Sequence, residues 1–109
     1  MTSKALFALL VLLVLCQPAV AADVASMPTA GHVLAKDRCG SCHAVEKDGV
    51  SPLQSAPPFR MLGRHYPLEN LEEALAEGIF AGHPDMPDDP WDPADIQRLI
   101  AYLKTIQTK

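Results

Sequence analysis

The chain has little positive charge, few aromatic residues and almost no cysteine. Nine Lys and Arg stand against thirteen Asp and Glu, Phe, Trp and Tyr together make up 6%, and there are three cysteines among 109 residues. The first shortage argues against nucleic acid as a partner, because binding phosphates needs a clustered basic excess. There are no internal repeats, and no segment alternates apolar and polar residues well enough to predict a strand. Asp48-Gly49 has the composition of a hairpin turn, but its flanks do not alternate, so no hairpin is expected there. The one long apolar run, residues 5–16, is well short of the roughly 18 apolar residues needed to span a bilayer.

That run fits an export signal better than an anchor. Lys4 is the only charge in residues 1–22, Gln17 and Pro18 end the apolar stretch, and Ala19-Val20-Ala21-Ala22 offers small residues for cleavage after Ala21 or Ala22. Retention as a membrane anchor is the alternative. A lipid anchor on Cys16 is disfavoured by the bulky Leu15 before it. The expected organisation is a cleaved signal peptide, 1–22, and one domain, 23–109, exported to the periplasm. Losing Lys4 and Cys16 with the leader leaves eight Lys and Arg against thirteen Asp and Glu, a formal charge of −5, and two cysteines, Cys39 and Cys42. The remaining 87 residues, which are 109 less 22, are few for a self-sufficient apolar core, so something else should help hold the fold.

Three helical patterns stand out. The first covers about 29–38, has Val33 and Leu34 as its apolar members and leads directly into Cys39; Met27, just before it, falls in a loose segment. In the second, after Pro67, Leu68, Leu71, Ala74, Leu75 and Ile79 recur at helical spacing against a wet face of Glu69, Glu72, Glu73 and Glu77, and Gly78 is the natural stop. The third opens on Asp92-Pro93-Ala94-Asp95, a capping side chain followed by a first-turn proline, and carries the stripe Ile96, Leu99, Ile100, Leu103 and Ile106. A short helix containing Phe59, Met61 and Leu62 is also expected, with Met61 in the core. Ten prolines, concentrated between the helices, point to loops of fixed shape without sheet pairing. The fold class is all-α.

Cys39-Gly40-Ser41-Cys42-His43 is a C-x-x-C-H pentapeptide, the attachment signature of c-type haem. Two thiols on one helical turn can reach the two vinyl groups of a porphyrin, and the next residue, His43, then faces the iron. A redox dithiol would want the pair after a strand in a βαβ pattern, which is absent. A structural zinc site would want a second ligand pair downstream, and none follows. The sixth iron ligand has two candidates. Met86 is preferred, since it offers a soft neutral thioether and sits in the proline-flanked Pro84-Asp85-Met86-Pro87; His83 is the rival. His32 and His65 read as surface residues. Arg60, Arg64, Tyr66 and Trp91 carry donors suited to haem propionates. Phe59, Leu62, Leu71, Leu75, Ile79, Trp91, Leu99 and Tyr102 are the candidates for a dry shell around the haem.

With these residues the chain resembles the class I c-type cytochromes, in particular the short monohaem bacterial type. The resemblance covers about residues 31–106 and rests on Cys39 to His43, Ala56-Pro57-Pro58-Phe59, Met86-Pro87 and Leu99-Ile100-Ala101-Tyr102-Leu103-Lys104. It implies the small cytochrome c fold, with three main helices and proline-rich loops wrapped around one covalent haem. It further implies that the first and last helices cross near the haem with Gly31 permitting the contact, and that the Pro57 carbonyl bonds the second nitrogen of the axial histidine. Two positions depart: Ala35 stands where an aromatic usually fills the crossing, leaving Tyr102 to compensate, and Ala56 replaces a glycine. The family's lysine ring is also missing. Asp85, Asp88, Asp89, Asp92 and Asp95 lie near Met86 instead, so redox donors and acceptors should present basic or neutral surfaces.

The function expected is one-electron transfer by a monomer, not catalysis, because no general base, nucleophile pair or second metal cluster accompanies the haem. A gas-binding or sensing haem protein with a labile sixth ligand is the alternative, as is a cytochrome subunit of a dehydrogenase or oxidase.

Overall fold

The computed structural model describes residues 20–78 and 90–109, with side chains from residue 23 onward. In chain order it contains helix α1 (Val20–Cys39), a 3₁₀ helix (Phe59–Arg64), α2 (Asn70–Glu77) and α3 (Pro93–Ile106), and no strand among the described residues. The architecture is thus the all-α arrangement expected of the sequence.

Helix α1 is longer than its apolar pattern predicts. Its described part, Val20–Cys39, runs through Met27 and Pro28, so Met27 is helical and not in a loose segment. Ala21, Ala22 and Ala25 are strong helix formers. Pro28 removes one backbone donor without ending the helix, and just before it Ser26 Oγ donates to the Asp23 carbonyl at 2.9 Å. The two apolar members of its pattern are not its most buried residues. Val33 is 54% exposed and Leu34 is only half-buried, whereas Ala35 is completely buried.

That small residue marks the crossing of α1 on α3. A Cβ on Gly31 would come within 1.9 Å of the Arg98 carbonyl oxygen and 2.8 Å of Tyr102 Cβ, so the two backbones meet where only hydrogen fits. Tyr102 fills the space beside Ala35's helix, as expected: its ring lies 4.8 Å from that of His32, and its buried hydroxyl donates to the Val45 carbonyl at 2.7 Å. His32, half-buried, pairs through Nε2 with Glu46 at 2.7 Å.

Helix α3 follows its sequence closely. Asp92 Oδ1 accepts from the Ala94 amide at 2.8 Å, Pro93 occupies the first turn, and Ile96, Leu99, Ile100, Tyr102, Leu103 and Ile106 are all buried. Two members of the acidic run therefore have structural duties, since Asp92 caps the helix and Asp95 pairs with Arg98 at 2.7 Å. Asp85, Asp88 and Asp89 lie outside the described residues, as does Ile79.

Helix α2 starts with tight i→i+3 bonds from Asn70, Leu71 and Glu72 back to Pro67, Leu68 and Glu69, and stops at Gly78 with φ 90°. It buries one side chain, Leu75, and meets α3 through Glu72–Gln97 at 3.1 Å and Glu69–Lys104 at 2.8 Å. The core then runs from Ala35 and Val45 through Phe59, Leu62 and Leu75 to the α3 stripe, with Trp91 at its edge under the Arg38 guanidinium, 4.2 Å from the ring centroid. Met61, expected in the core, is only half-buried and accepts from Thr108 Oγ1 at 3.3 Å.

Candidate functional site

The end of α1 shapes the pentapeptide. The His43 and Cys42 amides both bond back to the Cys39 carbonyl, at 2.9 and 3.1 Å, which continues the helical turn for four more residues. Residues four apart on such a turn share a side. Cys39 and His43 accordingly lie together on the wall of one cavity, while Cys42 is half-buried and is not part of its lining. The small residue at Gly40 serves the turn: its amide bonds the Lys36 carbonyl, and a Cβ there would fall within 2.6 Å of that oxygen.

The cavity holds about 290 Å³. One wall consists of Cys39, His43, Pro57, Phe59 and Leu62, the opposite one of Asn70, Leu71, Ala74 and Leu75 from α2, and α3 closes the space with Leu99 and Leu103. Of the apolar residues expected around a haem, Phe59, Leu62, Leu71, Leu75 and Leu99 line it, whereas Trp91 and Tyr102 are buried elsewhere in the core. Leu103 and Ala74 came from the same helical stripes and were legible as core. Asn70 was missed, and nothing in its local pattern marks it.

His43 is held firmly. Its Nδ1 lies 2.8 Å from the Pro57 carbonyl, the contact implied by the resemblance. A carbonyl can only accept, so Nδ1 carries a proton, and in the neutral imidazole the lone pair is then on Nε2. On its other side the imidazole meets the Phe59 ring, with centroids 4.8 Å apart and planes at 39°. Phe59 is in turn fixed by its amide, which donates to the Ala44 carbonyl at 2.9 Å. The Ala44 amide donates to Ser51 Oγ at 3.0 Å, a buried bond that ties down the loop following the motif.

The two thiols are free, and burial pushes Cys39 up to about 11, against the opposing pull of Arg38. A neutral, buried thiol lacks the depressed pKa of a redox-active dithiol. Among the described residues no group of three or more His, Cys, Asp or Glu is placed to hold a metal ion. Tyr66, whose hydroxyl is pushed up by burial, is the one propionate candidate on the cavity wall. Arg64 instead donates to the Lys109 carbonyl, and Arg60 has a buried Nη1 without a partner among the described residues. Met86 and His83 both lie outside the described residues.

These residues fit a haem. An apolar cleft of this kind takes a large flat apolar group, Cys39 and His43 supply a thiol and an imidazole lone pair on one wall, and Tyr66 and Asn70 add polar contacts to an otherwise apolar lining. Among the described residues no helix is long and apolar enough to cross a membrane. No curated protein and no solved structure gives a significant match. A family model described as cytochrome c matches residues 28–107, a span that takes in the pentapeptide, the Pro57 carbonyl and every side chain lining the cavity. The chain belongs to the cytochrome c family, whose members carry covalent haem c and transfer electrons through it.

Proposed function

We propose that the protein is a periplasmic one-electron carrier, freed from a 1–22 leader and working as a monomer. Cys39 and Cys42 tether the haem, and His43 and Met86 ligate its iron. Haem c, when bound, supplies a ferric/ferrous couple. The chain's residues prepare the surroundings for that couple. The observation that carries the reading is the 2.8 Å bond from His43 Nδ1 to Pro57, which fixes the tautomer, raises the basicity of Nε2 and leaves that nitrogen as the donor beside Cys39 in an apolar cavity.

Phe59, Leu62, Leu71, Leu75 and Leu99 exclude water from this space, and a dry surrounding reduces solvent reorganisation when charge changes. Met86 adds a soft, neutral ligand that favours the reduced state over what a second histidine would give. The formal charge of −5 for residues 23–109, with Glu69, Glu73 and Glu77 exposed along α2, suits donors and acceptors whose docking surfaces are basic or neutral.

The test is the near-infrared spectrum of the ferric protein. A weak band from methionine–iron charge transfer is expected, and Met86→Ala should abolish it. If the band is missing from the unaltered protein and its reduced form binds carbon monoxide rapidly at neutral pH, the sixth position is labile and the protein is a gas-binding one.

A further inference from the structure

The side chain of Gln107, just past the end of α3, uses its whole amide. Oε1 accepts from the Gly63 amide at 2.7 Å, and Nε2 donates to the carbonyls of both Phe59 and Leu103 at 2.9 Å. With one donor and two acceptors around it, only one orientation of the amide satisfies all three. The fit is close, since a Cβ on Gly63 would stand 2.9 Å from Oε1. Gln107 thus clips the 3₁₀ helix Phe59–Arg64 to the last turn of α3.

Phe59 is the residue through which this matters. Its amide is held by Ala44 and its carbonyl by Gln107, so both ends of the residue that packs on the His43 imidazole are fixed. Pro57, two residues earlier, provides the carbonyl that bonds His43 Nδ1. Segment 57–59 therefore grips the imidazole twice, by a hydrogen bond and by a ring contact, and Gln107 anchors its far end.

We propose that Gln107 is a positioning residue for His43, acting through Phe59 to keep the imidazole oriented and strongly bonded at Nδ1. The proposal rests on reading His43 as the iron ligand. Releasing the Phe59 carbonyl lets the segment relax, lengthens the bond from Nδ1 to Pro57 and makes Nε2 a poorer donor, which raises the reduction potential.

The experiment compares haem-loaded wild type with Gln107→Met, which keeps the bulk but loses all three bonds. The His43 Nδ1 proton should exchange about fivefold faster or more, its resonance should shift, and the midpoint potential should rise. A Phe59→Leu background removes the ring contact on His43 but keeps the backbone carbonyl that Gln107 holds, so there the same change at Gln107 should still speed exchange of the Nδ1 proton and raise the potential. A Gln107→Met protein that melts earlier but keeps wild-type His43 exchange and potential overturns the proposal, as does loss of the Gln107 effect on Nδ1 exchange in the Phe59→Leu background. Should Gln107→Met not fold, Gln107→Glu retains the acceptor for Gly63 and loses both donors, and it must reproduce the His43 shifts. Failure of the ligand reading looks different: His43→Ala would then leave the axial-ligand spectrum of the haem unchanged.

Discussion

The two facing walls of the cavity are built in different ways. On the His43 side the chain is bonded to itself at short intervals: His43 to Pro57, Phe59 to Ala44, Ala44 to Ser51, Phe59 and Gly63 to Gln107, and Tyr102 to Val45. On the other side α2 is an eight-residue helix with one buried side chain, tied to α3 by exposed polar contacts and to the segment before α3 by the Trp91 amide on the Leu75 carbonyl. A helix so short has little stability of its own. The difference suggests a division of labour in which hydrogen bonds set the ligand geometry of one wall, and the haem itself props the other.

Removing the haem should have the largest effect. Residues 23–109 bury too little apolar area alone, and the α2 wall would then face an empty apolar space. A chain made without haem should lose most of its helical circular dichroism, and α2 amides should exchange without protection. A native-like spectrum with α2 protected would erase the distinction between the walls.

The next effect tests the frame behind the bonded wall. Gly31→Ala puts a methyl group 1.9 Å from the Arg98 carbonyl oxygen, and that atom is backbone that cannot rotate away. The helices must separate, which should cost about 3 kcal/mol in denaturant melts of the haem-loaded protein. A loss under about 0.5 kcal/mol would mean the crossing has slack, at the level of an ordinary surface change.

Tyr102→Phe is a milder probe of the same side. It leaves the ring in place and strands the buried Val45 carbonyl, so about 1–2 kcal/mol should be lost. No loss would indicate that water takes over from the hydroxyl and that this strut is dispensable.

The two walls also differ in how far the sequence disclosed them. α3 was readable in full, because a cap, a first-turn proline and a stripe of large residues are strong signals that agree with one another. The Cys39 and His43 placement followed from the pentapeptide, and the Pro57 contact from the family resemblance. The buried face of α1 was not readable from hydropathy: its contact is made by Gly31, which the family resemblance named, and by Ala35, and small residues carry no hydropathy signal, while the apolar Val33 is exposed. Its continuation before residue 29 was masked by Pro28, which the alanines before it outweigh. Gln107 and Ser51 stayed hidden for another reason. Single polar residues that satisfy distant backbone groups show no period, and their partners lie up to 48 residues away in sequence.

The smallest expected effect lies on the α2 side, at Glu69 and Lys104. The hydrogen bond from Lys104 holds Glu69 below its ordinary 4.5, and the same bond holds Lys104 above 10.5. Because the folded Glu69 binds its proton less readily than the unfolded chain does, its stabilising contribution is present above about pH 4.5 and disappears as the pH falls through the lowered value. Lys104 mirrors this: its contribution is present below 10.5 and is lost as the pH rises through the raised value. Both side chains are exposed, so water screens the pair, and Lys104→Met should leave the neutral-pH melting temperature nearly unchanged while the Glu69 carboxyl titration followed by NMR moves back up toward 4.5. An unmoved titration would show that the pair does not form in solution. A large drop in melting temperature would show that α2 is fastened as firmly as the His43 wall, and the two sides would then differ only in which bonds they use.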